Sequence, residues 1–235
     1  MPITMAFQPI IRGDNSVFAH EALVRGLNGE GAGTILSQVN ADNRYSFDQQ
    51  CRTTAIETAA SLGLLATDAL LSINFKPNAI YEPLRCLATS LAAAARAGLP
   101  NRSIMFEITE DEEVLEPRRL RDIVTAYQEI GFTVALDDFG AGYASLGMLV
   151  DIRPDVIKLD MKLIRGVDAD PIRIAVVRSM VSLCRELGIA LVAEGVETVE
   201  EHRTLRTIGV DLFQGYLFAR PTIGLLQTPG SLAAA

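Results

Sequence analysis

The sequence is poor in two residue types on which many enzyme sites depend. Its 235 residues contain only two histidines, His20 and His202, and three cysteines, Cys51, Cys86 and Cys184. Two histidines exclude a His-rich zinc site, and three widely spaced cysteines exclude a CxxC site and a disulfide framework. The cysteines therefore predict buried thiols in a reducing compartment.

Long apolar runs and positive charge are also missing. No apolar stretch approaches the roughly 20 residues that span a bilayer, and the N-terminus lacks the basic and apolar segments of a signal peptide. The chain has 21 Lys and Arg against 29 Asp and Glu, a net charge of -8. An acidic protein is a poor partner for DNA or an anionic membrane surface. We therefore expect a cytoplasmic protein that binds anionic substrates only through metal ions or a local basic cluster.

What the chain does contain is apolar material for one large core. Hydrophobic residues make up 49% of it, and short buried strands alternate with helices, which indicates parallel strands joined by right-handed crossovers. About eight such units predict an α/β fold, a (β/α)8 TIM-like barrel. Because only a short turn separates the strands 5–11 and 17–24, we expect an antiparallel first strand. We predict one domain over residues 1–222 and a disordered C-terminal tail over residues 223–235.

The remaining elements follow from hydrophobic periodicity and from Gly and Pro signals. The predicted helices are 34–39, 47–62, 84–97, 117–130, 144–149, 171–187 and 199–208. The predicted later strands are 69–75, 103–108, 132–136, 155–159, 189–193 and 210–213.

Polar side chains lie within or just after these strands, where a barrel interior normally carries Val, Ile and Leu. Asp137 and Asp138 end the strand 132–136, and their mutual repulsion is roughly 1 kcal/mol in water and nearer 4 in a partly buried setting. Such a pair persists when a cation compensates it or when one member is protonated; a solvated loop is the alternative. The full set is Glu21, Asn74, Glu107, Asp137, Asp138, Lys158, Glu194 and Gln214. Because active sites of barrels form at the carboxyl ends of the strands, we expect these groups to converge.

The composition of this set favours a metal site. Five of its members are acids, and Lys158 offsets only one of their charges, whereas two divalent ions would neutralise the rest. Carboxylates with an amide oxygen favour hard ions such as Mg²⁺ or Mn²⁺, and a pair of ions stabilises in-line displacement at phosphorus. We therefore predict phosphodiester hydrolysis, with Asp137 bridging the ions and Lys158 bonded to the attacking water or the developing phosphoryl charge.

At these positions the chain resembles the EAL domain, the bacterial phosphodiesterase that linearises cyclic di-GMP. The matching segments are 21–25 (EALVR), 106–110 (FEITE), 137–143 (DDFGAGY), 157–160 (IKLD), 193–197 (AEGVE) and 213–216 (FQGY), together with Asn74. The resemblance covers roughly residues 3–222. It implies hydrolysis of cyclic di-GMP to linear 5′-pGpG with two Mg²⁺ or Mn²⁺ ions per site.

The resemblance also implies which residues act. The implied metal ligands are Glu21, Asn74, Glu107, Asp137, Asp138 and Glu194. Asp137 would contact both ions and Asp138 the second one. Lys158, Glu194 and Glu21 form the implied catalytic group, in which Lys158 and Glu194 lie around the attacking water and Glu194 serves as base or as metal ligand.

Further positions are implied to contact the substrate or to support the site. Gln8, Arg25 and Gln214 match substrate-facing positions, and Gln214 also supports the metal and water network. Glu110 matches a residue that anchors the loop 139–146, which couples metal binding to dimer contacts in the family. A homodimer is therefore expected, and the chain is either a stand-alone enzyme or a piece of a longer protein with a sensor or cyclase domain.

Two other functions could use the same residues. A receptor would hold cyclic di-GMP without cutting it; such proteins usually lose a metal ligand or the lysine, and this chain retains both. A lysine in a barrel strand forms Schiff bases in aldolases, but five acids would raise the pKa of Lys158, where that chemistry needs it lowered. Each residue taken singly is also compatible with a helix cap, an ion pair or a solvated loop. Hydrolysis is the function that we predict.

Overall fold

The backbone forms a closed ring of strands surrounded by helices. The computed structural model describes residues 1–75, 83–108, 117–141 and 146–228. Its strands are β1 Ile3–Arg12, β2 Val17–Gly26, β3 Leu70–Phe75, β4 Ile104–Ile108, β5 Thr133–Phe139, β6 Val156–Leu159, β7 Ala190–Ala193, β8 Leu212–Phe213 and β9 Thr222–Ile223. The hydrogen-bonded order is β2-β3-β4-β5-β6-β7-β8-β1, and β1 also pairs with β2, which closes the ring. The predicted barrel is confirmed.

The first hairpin reverses one strand of the barrel. Residues 13–16 join β1 to β2, a link too short for the crossover that parallel strands need. The two strands pair antiparallel, with Gln8 opposite Glu21, and β1 is also antiparallel to β8. From β2 to β8, each strand pairs parallel with the next one along the chain. The prediction of an antiparallel first strand is therefore confirmed.

Helices cover the outside of the ring. They are α1 Ala32–Leu36, α2 Arg44–Ser61, α3 Pro83–Ala97, α4 Pro117–Glu129, α5 Leu146–Ile152, α6 Met161–Ile164, α7 Pro171–Leu187 and α8 Val199–Ile208. The predicted bounds of the last two long helices are confirmed because their end signals are local. Asp170 caps α7 and Gly188 ends it at a φ of 69°, while Thr198 and Glu201 form a capping box on α8.

The apolar core has two parts. The larger part lies between the ring of strands and the helices, with Phe75, Phe106 and Tyr127 in ring contact. The smaller part fills the barrel interior at one end with Ile10, Ala19, Met105, Ala135, Val156, Val192 and Leu212. Among the described residues, none of the helices combines the length and apolar character that a membrane crossing requires.

Four local features differ from the sequence prediction. β5 continues to Phe139, three residues beyond its predicted end, and the short α6 was not predicted. Of the cysteines predicted to be buried, Cys184 is buried and Cys51 is only partly so. The segment 223–235, predicted to be a disordered tail, begins with residues that contact the barrel: Ile223 pairs with Ala6 of β1 and Leu226 packs on the core. A short pairing of this kind depends on the exposed edge of β1, which is a tertiary feature.

Candidate active site

The interior of the barrel changes from apolar to polar within two residues on each strand. Side chains at i and i+2 of a strand point to the same face. Each member of the apolar interior cluster has a polar residue two positions away on the same face of its strand. These pairs are Ile10 with Gln8, Ala19 with Glu21, Met105 with Glu107, Ala135 with Asp137, Val156 with Lys158, Val192 with Glu194 and Leu212 with Gln214. Because β1 runs in the opposite direction, its polar residue precedes its apolar one. All seven polar groups therefore lie at the carboxyl end of the parallel strands.

Lys158 is the centre of this polar cluster. Its side chain is 1% exposed, and its Nζ lies 2.7 Å from Glu194 Oε1, 2.9 Å from Asp137 Oδ1, 3.0 Å from Glu107 Oε2 and 3.5 Å from Glu21 Oε2. One ammonium group thus contacts four carboxylates that come from four different strands or strand ends. A single positive charge cannot compensate four negative ones, so the cluster keeps a surplus of negative charge.

Amide side chains complete the surroundings of Glu21. Asn74 Nδ2 donates to Glu21 Oε1 at 3.0 Å, and Gln214 Nε2 donates to Glu21 Oε2 at 2.6 Å. Gln214 Nε2 also lies 3.3 Å from Gln8 Oε1, and Gln8 Nε2 donates to the carbonyl oxygen of Ala219 at 3.0 Å. The structure therefore brings Gln8 and Gln214 into the same network as the acids.

A local break in β5 lets two consecutive aspartates serve one site. In a regular strand, Asp137 and Asp138 would point to opposite faces. The pairing of β5 with β6 shifts register between Leu136 and Phe139, and Asp138 has a φ of 53°, a left-handed conformation that Asp tolerates better than most residues. Carboxylate oxygens of Asp137, Asp138 and Glu194 consequently all lie within 4.8 Å of one another.

Ser72 belongs to the site and was missed in the sequence. Its Oγ donates to Glu107 Oε1 at 2.5 Å, and both residues are fully buried. The alternation of side chains along a strand could have identified it. Ser72 is two residues before Asn74 and therefore lies on the same face of β3.

The buried charges shift one another's proton affinities. Burial raises the pKa of Glu107 well above its usual value, and the nearby charges of Glu21 and Asp137 raise it further against the opposing effect of Lys158. Burial and Asp137 likewise raise the pKa of Glu194. Burial alone would lower the pKa of Lys158, but the surrounding acids raise it well above its usual value. Lys158 is therefore a permanent cation, which disfavours the Schiff-base alternative.

The donor set fits divalent cations. Oxygen atoms of Asp137, Asp138 and Glu194 converge. The acids around Lys158 outnumber this one cation of the cluster, and the pKa of Glu107 and Glu194 rises as expected where charge is under-compensated. Carboxylates without a histidine or thiolate ligand match the preference of Mg²⁺ or Mn²⁺.

Two cavities give access to the cluster. One of about 380 Å³ is lined by Asn74 and Asp137 together with apolar side chains of β2, α1 and α2. The other, of about 250 Å³, is lined by Glu194, Gln214 and Tyr216 among others. Glu21 and Asp138 line both cavities. The acids can therefore be reached from two sides.

Two of the predicted residues are not placed in this cluster. Arg25 lies four positions beyond Glu21 on β2, and its guanidinium donates to the carbonyl oxygen of Val24 at 2.7 Å; the structure does not bring it into the hydrogen-bond network of the described site. Glu110 lies outside the described residues, as do residues 142–145 of the loop 139–146.

The fold and the site define a class of protein: a barrel with a reversed first strand and an acidic mouth, built around one lysine, whose carboxylates fit a cation. The family model described as "EAL domain" matches residues 2–221, and the chain belongs to this family. The resemblance stated from the motifs is confirmed.

Named relatives and solved structures agree with this membership. The chain is 37% identical over 167 residues to the cyclic di-GMP phosphodiesterase RocR of Pseudomonas aeruginosa, a match that covers 71% of this chain and 42% of RocR. The chain thus spans less than half the length of this relative. A structure of a standalone EAL protein from Vibrio cholerae with cyclic di-GMP bound is 46% identical, with a TM-score of 0.94 and coverage of 99% and 98% of the two chains.

A third comparison concerns metals. The manganese and cyclic di-GMP complex of Klebsiella pneumoniae BlrP1 is 35% identical, with a TM-score of 0.89, and the match covers 95% of this chain and 57% of that one. The site residues described above thus occur on a fold that in this relative was solved with both manganese and cyclic di-GMP.

Proposed function

We propose that this domain is a metal-dependent phosphodiesterase that hydrolyses cyclic di-GMP to linear 5′-pGpG. The observation that carries the proposal is the contact of one buried lysine with four carboxylates, Glu21, Glu107, Asp137 and Glu194. This arrangement is stable with an anionic substrate only if further cations join it. The relative named as a cyclic di-GMP phosphodiesterase and the related structures solved with cyclic di-GMP support the choice of substrate.

The metal ligands that we propose are Glu21, Asn74, Glu107, Asp137, Asp138 and Glu194. Two Mg²⁺ or Mn²⁺ ions held there would polarise the phosphodiester oxygens and lower the pKa of water at the site. The chain's own contribution is to hold these oxygens in place. Ser72 bonds Glu107, and Asn74 and Gln214 bond Glu21, so that the ligands are oriented before any ion enters.

The reacting groups that we propose are Lys158 and Glu194, together with Glu21. Water attacks phosphorus and the bond from phosphorus to one 3′ oxygen breaks. The leaving 3′ oxygen takes up a proton from solvent, so the product carries a 5′-phosphate and a 3′-hydroxyl. Lys158 Nζ donates a hydrogen bond to the water or to the negative charge that develops on phosphorus. Glu194, whose Oε1 lies 2.7 Å from Lys158 Nζ, accepts the proton of the water. Gln8, Arg25 and Gln214 are proposed to face the nucleotide.

Turnover of cyclic di-GMP tests this function directly. With Mg²⁺ or Mn²⁺ we expect conversion to pGpG, measured by chromatography, and its loss with EDTA. Glu21→Gln removes a proposed ligand and should abolish conversion, whereas Glu200→Gln, an exposed glutamate on α8, should not change it. If the protein binds cyclic di-GMP but leaves it intact even at high enzyme concentration, the domain is a receptor. If borohydride traps a substrate on Lys158, the protein is an aldolase.

The proposal extends to assembly and location. A homodimer is expected, and the exposed apolar side chains Leu146 and Val150, four residues apart on α5, are compatible with a contact surface. Analytical ultracentrifugation would test it. A cytoplasmic location, a possible sensor or cyclase domain in a longer chain, the domain bounds 1–222 and the role of Glu110 stay predictions.

A further inference from the structure

Three loops pack tightly at one side of the site. The β6 loop (160–166), the β7 loop (194–198) and the β8 loop (214–217) follow the strands for which they are named. The Val196 amide donates to the carbonyl oxygen of Gln214 at 3.0 Å, and the Leu217 amide donates to that of Val196 at 3.1 Å. A side chain at Gly215 would lie 2.0 Å from the Val196 oxygen, so the β7 and β8 loops approach as closely as backbone permits.

Glu201, on the first turn of α8, joins two of these loops. It is 4% exposed. Its Oε2 accepts the amides of Glu197 and Thr198 at 3.0 and 3.1 Å, which includes the ordinary helix cap. Its Oε1 accepts the amide of Gly166 at 2.9 Å, and this bond reaches out of the helix to the β6 loop. Burial alone would raise the pKa of Glu201, but these three amides lower it below its usual value, so the group is held as a carboxylate.

A second link joins the same two loops. The guanidinium of Arg165, in the β6 loop, forms a two-pronged ion pair with both carboxylate oxygens of Glu197 in the β7 loop. Arg165 and Glu197 line the same 250 Å³ cavity as Glu194. Because this pair is about one-third exposed, solvent weakens it, and the buried Glu201 is the firmer of the two links.

We infer that Glu201 is a positioning residue for Glu194, an inference that rests on the proposed function. Glu194 is the first residue of the β7 loop and lies 2.7 Å from Lys158 Nζ. Glu201 fixes the other end of that loop, at residues 197–198, to the β6 loop, whose first residue follows the strand that carries Lys158. The Glu194 amide donates to the carbonyl oxygen of Leu159 at 3.1 Å, which fixes the β7 loop where it begins. Glu201 fixes its other end, so the path of the loop, and with it the direction of the Glu194 carboxylate toward Lys158, is held from both sides.

The test compares Glu201→Ala with Glu201→Gln and with Glu200→Ala. Glu201→Ala removes every acceptor, so amide hydrogen exchange should become faster at Gly166 and at residues 194–198. A misplacement of reacting groups by about 1 Å costs up to ~100-fold in rate; with the Arg165 link still present we expect kcat to fall about tenfold, with KM within about twofold. Glu201→Gln keeps one oxygen for the helix cap, in which Gln is also accepted, but its NH2 group cannot accept the Gly166 amide. Exchange at residues 197–198 should therefore stay slow, while exchange at Gly166 becomes faster and most of the fall in kcat remains. Glu200→Ala, at the exposed neighbour on the same turn, should match the unsubstituted protein.

Two results would overturn the inference. Unchanged exchange at residues 194–198 in Glu201→Ala would show that the carboxylate does not hold the loop. Faster exchange with unchanged kcat would show that the link is structural only. If the unsubstituted protein itself fails to turn over cyclic di-GMP, the proposed function fails first, and the exchange measurement still decides whether Glu201 fastens the β7 loop.

Discussion

A single side chain, Lys158, makes the cluster of acids tolerable in the folded protein. It contacts four carboxylates from within the barrel and is 1% exposed. Removal of one partner of a buried charge pair leaves the other partner uncompensated, which costs about 3–5 kcal/mol. Lys158 therefore has a structural task in the metal-free protein besides any task in catalysis.

Lys158→Met should accordingly lower the free energy of unfolding by about 3–5 kcal/mol in EDTA. Mn²⁺ should restore part of the lost stability. The difference from the parent should also become smaller as the pH falls toward 5, because the carboxylates that have lost their cation then take up protons. Urea unfolding measures each effect. Lys162→Met, at an exposed lysine close to the site, is the control. Equal stability of the Lys158 variant and the parent in EDTA would contradict this account.

The hydrogen bond from Ser72 to Glu107 also contributes to the free energy of unfolding. A hydrogen bond to a charged group contributes about 1.5–3 kcal/mol, so Ser72→Ala should cost about that much in urea unfolding with EDTA. The matched control is Ser90→Ala. Ser90 is equally buried, but its hydroxyl has no partner among the described residues, so its removal should cost close to nothing. Similar losses in both variants would mean that cavity formation, rather than the bond, sets the cost.

Sequence reasoning at the residue scale found charged groups more readily than neutral ones. Glu21, Glu107 and Asp137 attract notice because a charge within an apolar strand demands a reason. Ser72 does not, because serine is common in buried strands and its bond to Glu107 exists only once β3 and β4 pair. The position of Arg25 was also beyond reach, since the rotamer of a long side chain depends on its neighbours.

The break in β5 is the feature of element scale on which the site depends. The sequence predicted that Asp137 and Asp138 follow the strand, whereas β5 runs through both to Phe139. Only the register shift and the left-handed backbone of Asp138 direct both carboxylates to one side. Apolar periodicity cannot reveal such a bulge, because it depends on pairing with β6.

A comparison of Asp138→Asn with Asp138→Ala should separate the effect of the left-handed backbone on stability from the effect of the lost carboxylate on turnover. Both remove the carboxylate, but Asn tolerates a φ near 53° and Ala pays about 1 kcal/mol or more for it. In EDTA, Asp138→Ala should therefore be less stable than Asp138→Asn by about 1 kcal/mol, while both should lose turnover to a similar extent. Chemical unfolding and the pGpG assay measure the two effects, and equal unfolding energies would remove backbone strain from the explanation.

At the scale of the whole molecule, the architecture was predictable because it rests on local rules. Alternating strands and helices imply a parallel barrel, and a four-residue link implies an antiparallel hairpin. The same hairpin places Gln8 directly opposite Glu21, so the reversed strand still delivers a polar group to the common mouth. The start of the C-terminal tail was not predictable, since Ile223 is ordered only by the free edge of β1.

Metal binding should stabilise the whole barrel, because its ligands come from strands that are far apart in sequence. An ion that binds only the folded state contributes about 2.7 kcal/mol at 100 times its Kd. For a domain of 235 residues, about 2–4 °C per kcal/mol predicts a rise in Tm of roughly 5–10 °C with Mn²⁺. The rise should be absent in NaCl of equal ionic strength and much smaller in Asp137→Asn, which lacks the proposed bridging ligand. The same rise in Asp137→Asn would place the stabilising ion elsewhere on this acidic protein and remove the metal from the barrel mouth.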